Sequence, residues 1–328
     1  MPDERAAVVI DNLLDPVAHR AALLATLRAG LTAPQKRLAP VWFYDEEGSR
    51  LFDEITRLPE YYPTRAEREI LLAHAAEIAA STKAHTLIEL GSGTSEKTRI
   101  LLDALDESGH LGRFVPLDVS EETLRDAAAT LSALYPAVSV HGIVGDFQHH
   151  LSALPDDGSR LVAFLGSTIG NLDPRQRHRF FTDLDAALWS TDWLLLGTDL
   201  VKDRSVLHAA YDDSAGVTAA FNRNVLHVLN HELGADFDPD AFEHVARWNE
   251  DQRWIEMRLR SRDAQRVTIP GLELELRFAP GEELWTEISS KFTPAQVRDE
   301  LWAAGFVTDH TWFDEQDRFM LTLAHPWC

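Results

Sequence analysis

Leu87-Ile-Glu-Leu-Gly-Ser-Gly-Thr-Ser95 reads as a strand that runs straight into a glycine turn, with a helix opening near Ser95. Glycines at a strand-to-helix turn let the backbone approach a ligand closely, at the carboxyl edge of a parallel sheet where ligands bind. Gly91-x-Gly93 alone is a weak signal, because a turn with no ligand uses the same residues. The third glycine of the dinucleotide fingerprint is also missing, its place falling near Glu96, which argues against a pyrophosphate.

Working outward, short apolar runs alternate with helical patterns at Phe114–Asp118, Val138–Val144, Leu161–Leu165 and Trp193–Thr198. That alternation predicts parallel strands joined by helices, an α/β domain over residues 64–201. Beyond about residue 250 the period becomes two. Ile255, Met257 and Leu259 alternate with charged residues, as do Leu272, Leu274, Leu276 and Phe278, predicting half-buried antiparallel strands joined by Leu284–Phe292 and Phe319–Leu323. Residues 13–63 and 202–328 are therefore assigned to a second, discontinuous α+β domain containing an antiparallel sheet. Helix starts are marked where a capping residue precedes proline: Asp15-Pro16, Asp173-Pro174, Asp238-Pro239 and Thr293-Pro294. The first helix is expected to end at Gly30 and the last at Gly305, and Thr64-x-x-Glu67 reads as a capping box before the stripe Ile70, Leu71, His74 and Ile78.

Composition narrows the partners. With 31 Lys+Arg against 53 Asp+Glu, the 328-residue chain carries a formal net charge of −22, which repels phosphate backbones and anionic lipid; no basic patch offsets it. Cys328 is the single cysteine, so no intrachain disulfide or cysteine-metal cluster is expected, in keeping with a reducing cytoplasm. The acidic start MPDERAAVVIDNLLD does not resemble a signal peptide, and no apolar run approaches the roughly 18 residues of a membrane span. The expectation is a soluble cytoplasmic protein with a small-molecule partner, for which a monomer suffices. His149 and His150 are adjacent, without the spacing of metal ligands, and read as surface residues.

Two further carboxylates bear on the glycine turn. Asp118 closes the strand after it, where an acid can accept both hydroxyls of a ribose. Asp146-Phe147 follows the third strand, where the acid can bond an adenine amine while the ring packs its face. Either acid alone reads equally well as a helix cap; three features at successive strand ends point to a nucleoside.

Glu-x-Gly-x-Gly, an Asp ending the second strand and Asp-Phe after the third together resemble the class I (Rossmann-like) S-adenosylmethionine-dependent methyltransferases. A closer resemblance rests on WFYDEEGSRLFDEITRLPEYYPTRAE (42–67), IELGSGTSEKT (88–98), GDF (145–147), FLGSTIGNL (164–172), LLGTDLVKD (195–203), AYDDSAGVTAAFNRN (210–224) and WTEISSKF (285–292). These segments are similar to the histidine-specific Nα-methyltransferases of actinobacterial type, which form hercynine, the trimethylbetaine of histidine, as the first step of ergothioneine biosynthesis. The resemblance implies a cofactor site of Gly91, Lys97, Asp118, Asp146 and Phe147, beside the loop next to Tyr44. It implies that Asn171, Tyr61 and Tyr211 hold the substrate α-carboxylate, that Tyr44 lies near the reacting amine, and that Glu287 and Ser289 address the imidazole with Met257 as pocket wall. S-adenosylmethionine is the implied methyl donor, without a metal.

Spacing supports these assignments only in part. Glu287 and Ser289 are two apart on a predicted strand and share a face, which by alternation also carries Trp285 and Lys291; from pattern alone that face reads as solvated. Met257, between Ile255 and Leu259, reads as core, and Tyr211 as a helical residue that packs between domains. Asn171 can bind an amine or carboxylate, or simply shape a turn before Asp173-Pro174. In the implied reaction the neutral α-amine attacks the cofactor's methyl carbon in line and the sulfur leaves, three times, with Tyr44 and Asn171 as the candidate proton acceptors, directly or through water. Two other readings are a methyltransferase for another amino acid, against which Glu287 speaks, and a cofactor-binding regulator without turnover.

Overall fold

The computed structural model describes residues 8–93, 95 and 97–327. The expectations placed on the first seven residues, on Glu96 and on Cys328 lie outside that set. In chain order the regular elements are β1 (Val8–Asn12), α1 (Pro16–Leu31), α2 (Glu46–Arg57), α3 (Pro63–Thr82), β2 (Thr86–Leu90), α4 (Thr98–Glu107), β3 (Arg113–Asp118), α5 (Glu121–Leu134), β4 (Ser139–Val144), β5 (Arg160–Phe164), α6 (Pro174–Ala187) and β6 (Trp193–Asp199). They continue with α7 (Arg204–Tyr211), α8 (Val217–Leu233), β7 (Phe242–Asn249), β8 (Trp254–Ser261), β9 (Gln265–Ile269), β10 (Leu274–Phe278), β11 (Glu283–Ser290), α9 (Pro294–Ala303), β12 (Phe306–Phe313) and β13 (Phe319–Pro326).

Most of the capping signals work as physics requires. Asp15 accepts from the Val17 and Ala18 N–H groups, Asp173 forms a reciprocal capping box with Gln176, and Thr293 accepts from Gln296. Asp238-Pro239 opens only a 3₁₀ turn, Pro239–Ala241, because Phe242 already belongs to β7. Gly30 does not end α1, which runs on to Leu31; a methyl there would run into the Arg37 carbonyl oxygen, so close backbone approach explains the glycine. The capping box at Thr64 does not form either: α3 begins at Pro63, and Glu67 is fully buried with other partners.

The chain divides into two compact units. The first comprises the described residues up to Leu14, Arg65–Leu200 and the segment from Phe292 on. Its eight-stranded sheet has the order β1-β4-β3-β2-β5-β6-β13-β12, parallel from β1 to β6 and antiparallel at β13 and β12. The order reverses direction between β2 and β5, and such a switch point opens a crevice at the carboxyl ends of the strands. This is a class I Rossmann-like sheet. All five residues of β2 and of β5 are buried, as strands covered on both faces must be.

The tail corrects the expected division. Phe319–Leu323 does not join the C-terminal antiparallel strands: β13 pairs with β6, Phe319 opposite Asp199 and Ala324 opposite Leu194. The reason is physical. Its first six residues are all buried, so it needs cover on both faces, which a one-sided sheet cannot give. At the other end, β1 joins the same sheet through β4.

The second unit comprises Asp15–Thr64 and Val201–Lys291. Its three-stranded antiparallel sheet has the order β11-β8-β7, and β9 with β10 forms a separate hairpin. The Leu272–Phe278 run is therefore not continuous with β8 and β11, and it starts later than alternation suggests. Pro270–Leu272 is a 3₁₀ turn and Glu273 takes a φ of +48°, so the strand begins at Leu274. Helix α8 packs on α2 and β7, burying Phe221, Val225, Leu226 and Leu229.

Candidate functional site

In the first unit, β2, β3, β4 and β5 deliver their following loops to one sheet edge. Gly91 and Gly93 have φ of +67° and +49°, where a side chain would strain the backbone, and a Cβ at either would meet nothing within 4 Å among the described residues. The turn is thus open on the side a ligand would occupy. Below it, the buried Glu89 accepts from the Ser95 hydroxyl at 2.7 Å and from the Thr98 hydroxyl, tying the loop to the start of α4. Burial pushes the Glu89 carboxyl up to about 7, against those two hydroxyl donors.

Asp118 holds the turn from the next strand. Its Oδ2 accepts from the Gly93 N–H at 2.9 Å and its Oδ1 from the Ser120 N–H at 3.0 Å, which leaves one lone pair on each oxygen for a diol. Asp146 accepts from the Gln148 N–H at 2.8 Å, and its own N–H donates to His150 Nδ1 at 3.0 Å, so His150 shapes this loop while His149 is exposed. Phe147 is half-buried and packs on Phe164 and Phe180, with ring centroids 5.0 and 5.9 Å away. Asn171 ends the 3₁₀ turn Thr168–Asn171, half-buried, its amide without a hydrogen-bond partner among the described residues.

Lys97 directly precedes α4 in the loop after β2. Its ammonium pairs with Glu67, a carboxylate wholly buried on α3 whose other oxygen accepts from the Gly166 N–H at 2.7 Å. Glu67 thereby joins the glycine loop after β2 to the loop after β5.

The residues present suit a nucleoside bearing a positive charge. Ser92 Oγ is buried without a hydrogen-bond partner among the described residues, beside the open turn. Asp118 and Asp146 place acid at this edge, and Lys97 is already neutralised by Glu67, so a cation is favoured over a phosphate.

In the second unit, the 3₁₀ turn Pro40–Phe43 stacks Phe43 on Phe221 at 4.7 Å and leaves Tyr44 half exposed at its end, edge-on to Phe52 and Phe221 at 5.9 and 6.0 Å. Asp45 then fixes the turn, accepting from the Gly48 N–H and from Asn224 Nδ2, both at 2.7 Å. Tyr61 continues the aromatic row, edge-on to Phe52 and to Tyr211, each at 6.3 Å. Tyr211, the last residue of α7, places its hydroxyl 2.7 Å from Ser289 Oγ.

A β-bulge organises the sheet face beneath. Pairing between β11 and β8 shifts at Thr286, so Glu287 lies opposite Met257 and Ser289 opposite Ile255, while Trp285 lies opposite Arg258. Directly opposed residues share a face, so Glu287, Ser289 and Met257 stand together. Trp285 does not share that face, contrary to simple alternation; the Arg258 guanidinium lies over its ring at 4.8 Å on the other side. The extra residue is itself used. Thr286 Oγ1 lies 2.7 Å from Asn222 Oδ1 and 2.8 Å from the Met257 carbonyl oxygen.

Asn222 Nδ2 donates to His244 Nδ1 at 2.8 Å and to the Arg258 carbonyl at 3.0 Å, and His244 Nε2 donates to the Tyr211 carbonyl at 2.8 Å. Those bonds assign the proton to Nε2, and burial holds the His244 ring below the usual histidine range, in its neutral form. Lys291 Nζ, also buried, donates to Tyr211 Oη and Ser289 Oγ, both at 2.8 Å.

Thus each unit gathers its share of the expected residues: Gly91, Lys97, Asp118, Asp146, Phe147 and Asn171 in the first; Tyr44, Tyr61, Tyr211, Met257, Glu287 and Ser289 in the second. Sequence reasoning missed Glu67, His244 and Asn222, and took Lys291 only as a solvated strand residue. Glu67 carries a signal in retrospect, since it falls on the same helical stripe as Ile70, Leu71 and Ile78. Among the described residues there is no group of three or more His, Cys, Asp or Glu that could hold a metal, and no helix long and apolar enough to cross a membrane.

Comparison with known proteins bears on this chemistry. The chain is 57% identical to the histidine N-alpha-methyltransferase of Mycolicibacterium smegmatis, over 95% of this chain and 98% of that one. It is 54% identical to the protein of the same name from Mycobacterium tuberculosis, over 97% and 99% respectively. The ergothioneine biosynthesis protein 1 of Schizosaccharomyces pombe is 32% identical over 80% of this chain and 35% of its own length. Residues 23–326 match the family model described as histidine-specific methyltransferase, SAM-dependent, and the chain belongs to that family.

Proposed function

We propose that the chain transfers methyl groups from S-adenosylmethionine to the α-amino nitrogen of L-histidine, three in succession, giving hercynine, the first step of ergothioneine biosynthesis. The observation that carries the choice of substrate is the face shared by Met257, Glu287 and Ser289, with the Tyr211 hydroxyl bonded to Ser289. An acid and a hydroxyl two residues apart suit the two nitrogens of one imidazole, and a polar pair of this kind rejects apolar side chains by leaving its own groups unpaired.

S-adenosylmethionine, when bound, would supply an electrophilic methyl on a positive sulfonium, open to in-line attack by a neutral amine with the neutral thioether as leaving group. The chain's own part is binding, alignment and proton removal. Asp118 takes the ribose hydroxyls, Asp146 the adenine amine and Phe147 the adenine face, while the Gly91–Gly93 turn leaves room for the rest. Asn171, Tyr61 and Tyr211 hold the α-carboxylate by hydrogen bonds. Tyr44 and Asn171 orient the amine and accept its proton, directly or through water, before each transfer, because only the unprotonated nitrogen has a lone pair. Lys97, paired with Glu67, braces the two loops at the cofactor edge.

The test is incubation with S-adenosylmethionine and each of the twenty amino acids, with product masses measured. Histidine should gain three methyl groups, all on the α-nitrogen. A ring-methylated product, or methylation of another amino acid in preference, would refute the proposal.

A further inference from the structure

Asn222 is fully buried in the middle of α8, among Phe221, Val225, Leu226 and Leu229, and no step so far uses it. Asparagine is a poor helix former, and a buried amide costs stability unless its groups are bonded. Its bonds can be counted. The Arg258 carbonyl, 3.0 Å away, only accepts, so the amide NH₂ must face it, which fixes the orientation of the group. The second amide hydrogen goes to His244 Nδ1 at 2.8 Å. The ring therefore carries its proton on Nε2 and gives it to the Tyr211 carbonyl at 2.8 Å, with Asp212 Oδ1 out of reach at 4.0 Å. That leaves the amide oxygen facing the Thr286 hydroxyl at 2.7 Å.

One amide thus reaches β8 and β11 directly and the last residue of α7 through a single ring. These are the elements that carry Met257, then Glu287 and Ser289, then Tyr211. Thr286 is the inserted residue of the bulge: pairing passes from Trp285 opposite Arg258 to Glu287 opposite Met257, and Thr286 itself has no partner on β8. A regular strand would put Trp285 and Glu287 on one face, whereas the insertion turns Glu287 and Ser289 towards Met257 and leaves Trp285 behind. The side chain of Thr286 is fully buried, and the residue its hydroxyl meets on another helix is Asn222. The bulge is therefore held from α8.

We infer that Asn222 is a specificity-determining positioning residue: through Thr286 it holds the bulge that aims Glu287 and Ser289 at the imidazole, and through His244 it holds the end of α7 that presents Tyr211. It acts through these residues and not by contact with the substrate. The inference rests on the histidine reading proposed above.

The test is histidine kinetics on the full chain at saturating S-adenosylmethionine. Thr286→Val exchanges the hydroxyl for a methyl of nearly the same size and cuts the link to Asn222. It should lower kcat/KM for histidine about tenfold, mostly through KM, because the imidazole contact is remote from the transferring methyl. Thr286→Ser, which keeps the hydroxyl, should recover most of that loss. In a chain already carrying Glu287→Ala, Thr286→Val should cost no more than about twofold, because the bulge acts by aiming Glu287. Asn222→Ala should cost at least as much as Thr286→Val, and the two together no more than Asn222→Ala alone. Should Asn222→Ala fail to fold, the Thr286 pair and the Glu287→Ala background decide. A Thr286→Val chain as active as wild type, an equal loss with and without Glu287, or a Thr286→Ser chain as damaged as Thr286→Val would each overturn the inference while leaving the histidine reading intact. A wild-type chain that does not methylate histidine would sink that reading and the inference with it.

Discussion

Replacing Asp118 by alanine separates a binding role from a merely structural one. The carboxylate makes two backbone bonds, from Gly93 at 2.9 Å and Ser120 at 3.0 Å. Both donors lie in half-buried loops, so water can replace the lost acceptor, and each bond should cost about 0.5–1.5 kcal/mol of stability. The hydroxyls of a bound ribose lose a charged acceptor outright, worth about 1.5–3 kcal/mol, which corresponds to roughly ten- to hundredfold in dissociation constant. Asp118→Ala should therefore weaken S-adenosylmethionine by that factor in calorimetry while the unfolding transition moves by only a few degrees. Asp118→Asn should fall between, because one oxygen survives while the amide NH₂ opposes one of the two N–H groups. Unchanged cofactor affinity in Asp118→Ala would refute the assignment, leaving Asp118 as a loop cap alone.

Glu89, raised by burial to about 7, binds its proton more tightly folded than unfolded, so its contribution to stability falls as pH rises from about 4.5 to 7 and is constant above. Urea unfolding at several pH values should show wild type losing about 3 kcal/mol relative to Glu89→Gln across that window; parallel curves would contradict the buried carboxyl. His244 has the opposite sense: its lowered value means stability present above about pH 6.5 and lost as pH falls through the folded value. The same titration on His244→Gln should lack that acid-side loss, and a variant as acid-sensitive as wild type would remove His244 as its source. Glu287→Ala should raise the histidine KM sharply with kcat less affected, because its contact is equal in ground and transition states, and should relax discrimination against phenylalanine and tryptophan; wild-type histidine kinetics would return Glu287 to an ordinary strand residue.

Whereas β1 and β12, largely exposed, carry no such run, the parallel strands β2 to β6 are legible because each is a short apolar run closed by Gly or Asp, and burial on both faces leaves little else to read. That same property hid where β13 belongs. A strand apolar on both faces announces that it will be covered and says nothing about which strand it will pair with, so Phe319–Leu323 was placed with its sequence neighbours and not beside β6. The antiparallel strands were legible by period two, but only until Thr286. One inserted residue reverses every face after it, and Trp285 and Glu287, the same side by counting, lie on opposite sides of β11.

The buried charges failed for a different reason, and the reason connects them to function. Pattern reading assigns a charged residue to solvent because desolvating it costs several kcal/mol unless it is paired. Glu67 and Lys291 break that rule together with their partners. Glu67 is held by Lys97 and the Gly166 N–H, and Lys291 by two hydroxyls that lie far from it or out of phase with it in sequence. The partner is what the sequence does not display, since nothing in the order of residues brings α3 to the loop after β5, or the end of α7 to β11. A charge is retained in such a place when the fold needs its bonds to set the geometry of a neighbour. Glu67 fixes the backbone of two loops at the open glycine turn, and Lys291 ties the Tyr211 hydroxyl at the end of α7 to Ser289 on β11. Removing either should therefore disturb ligand affinity beyond what the loss of stability alone explains, a difference that calorimetry and unfolding on one variant can separate.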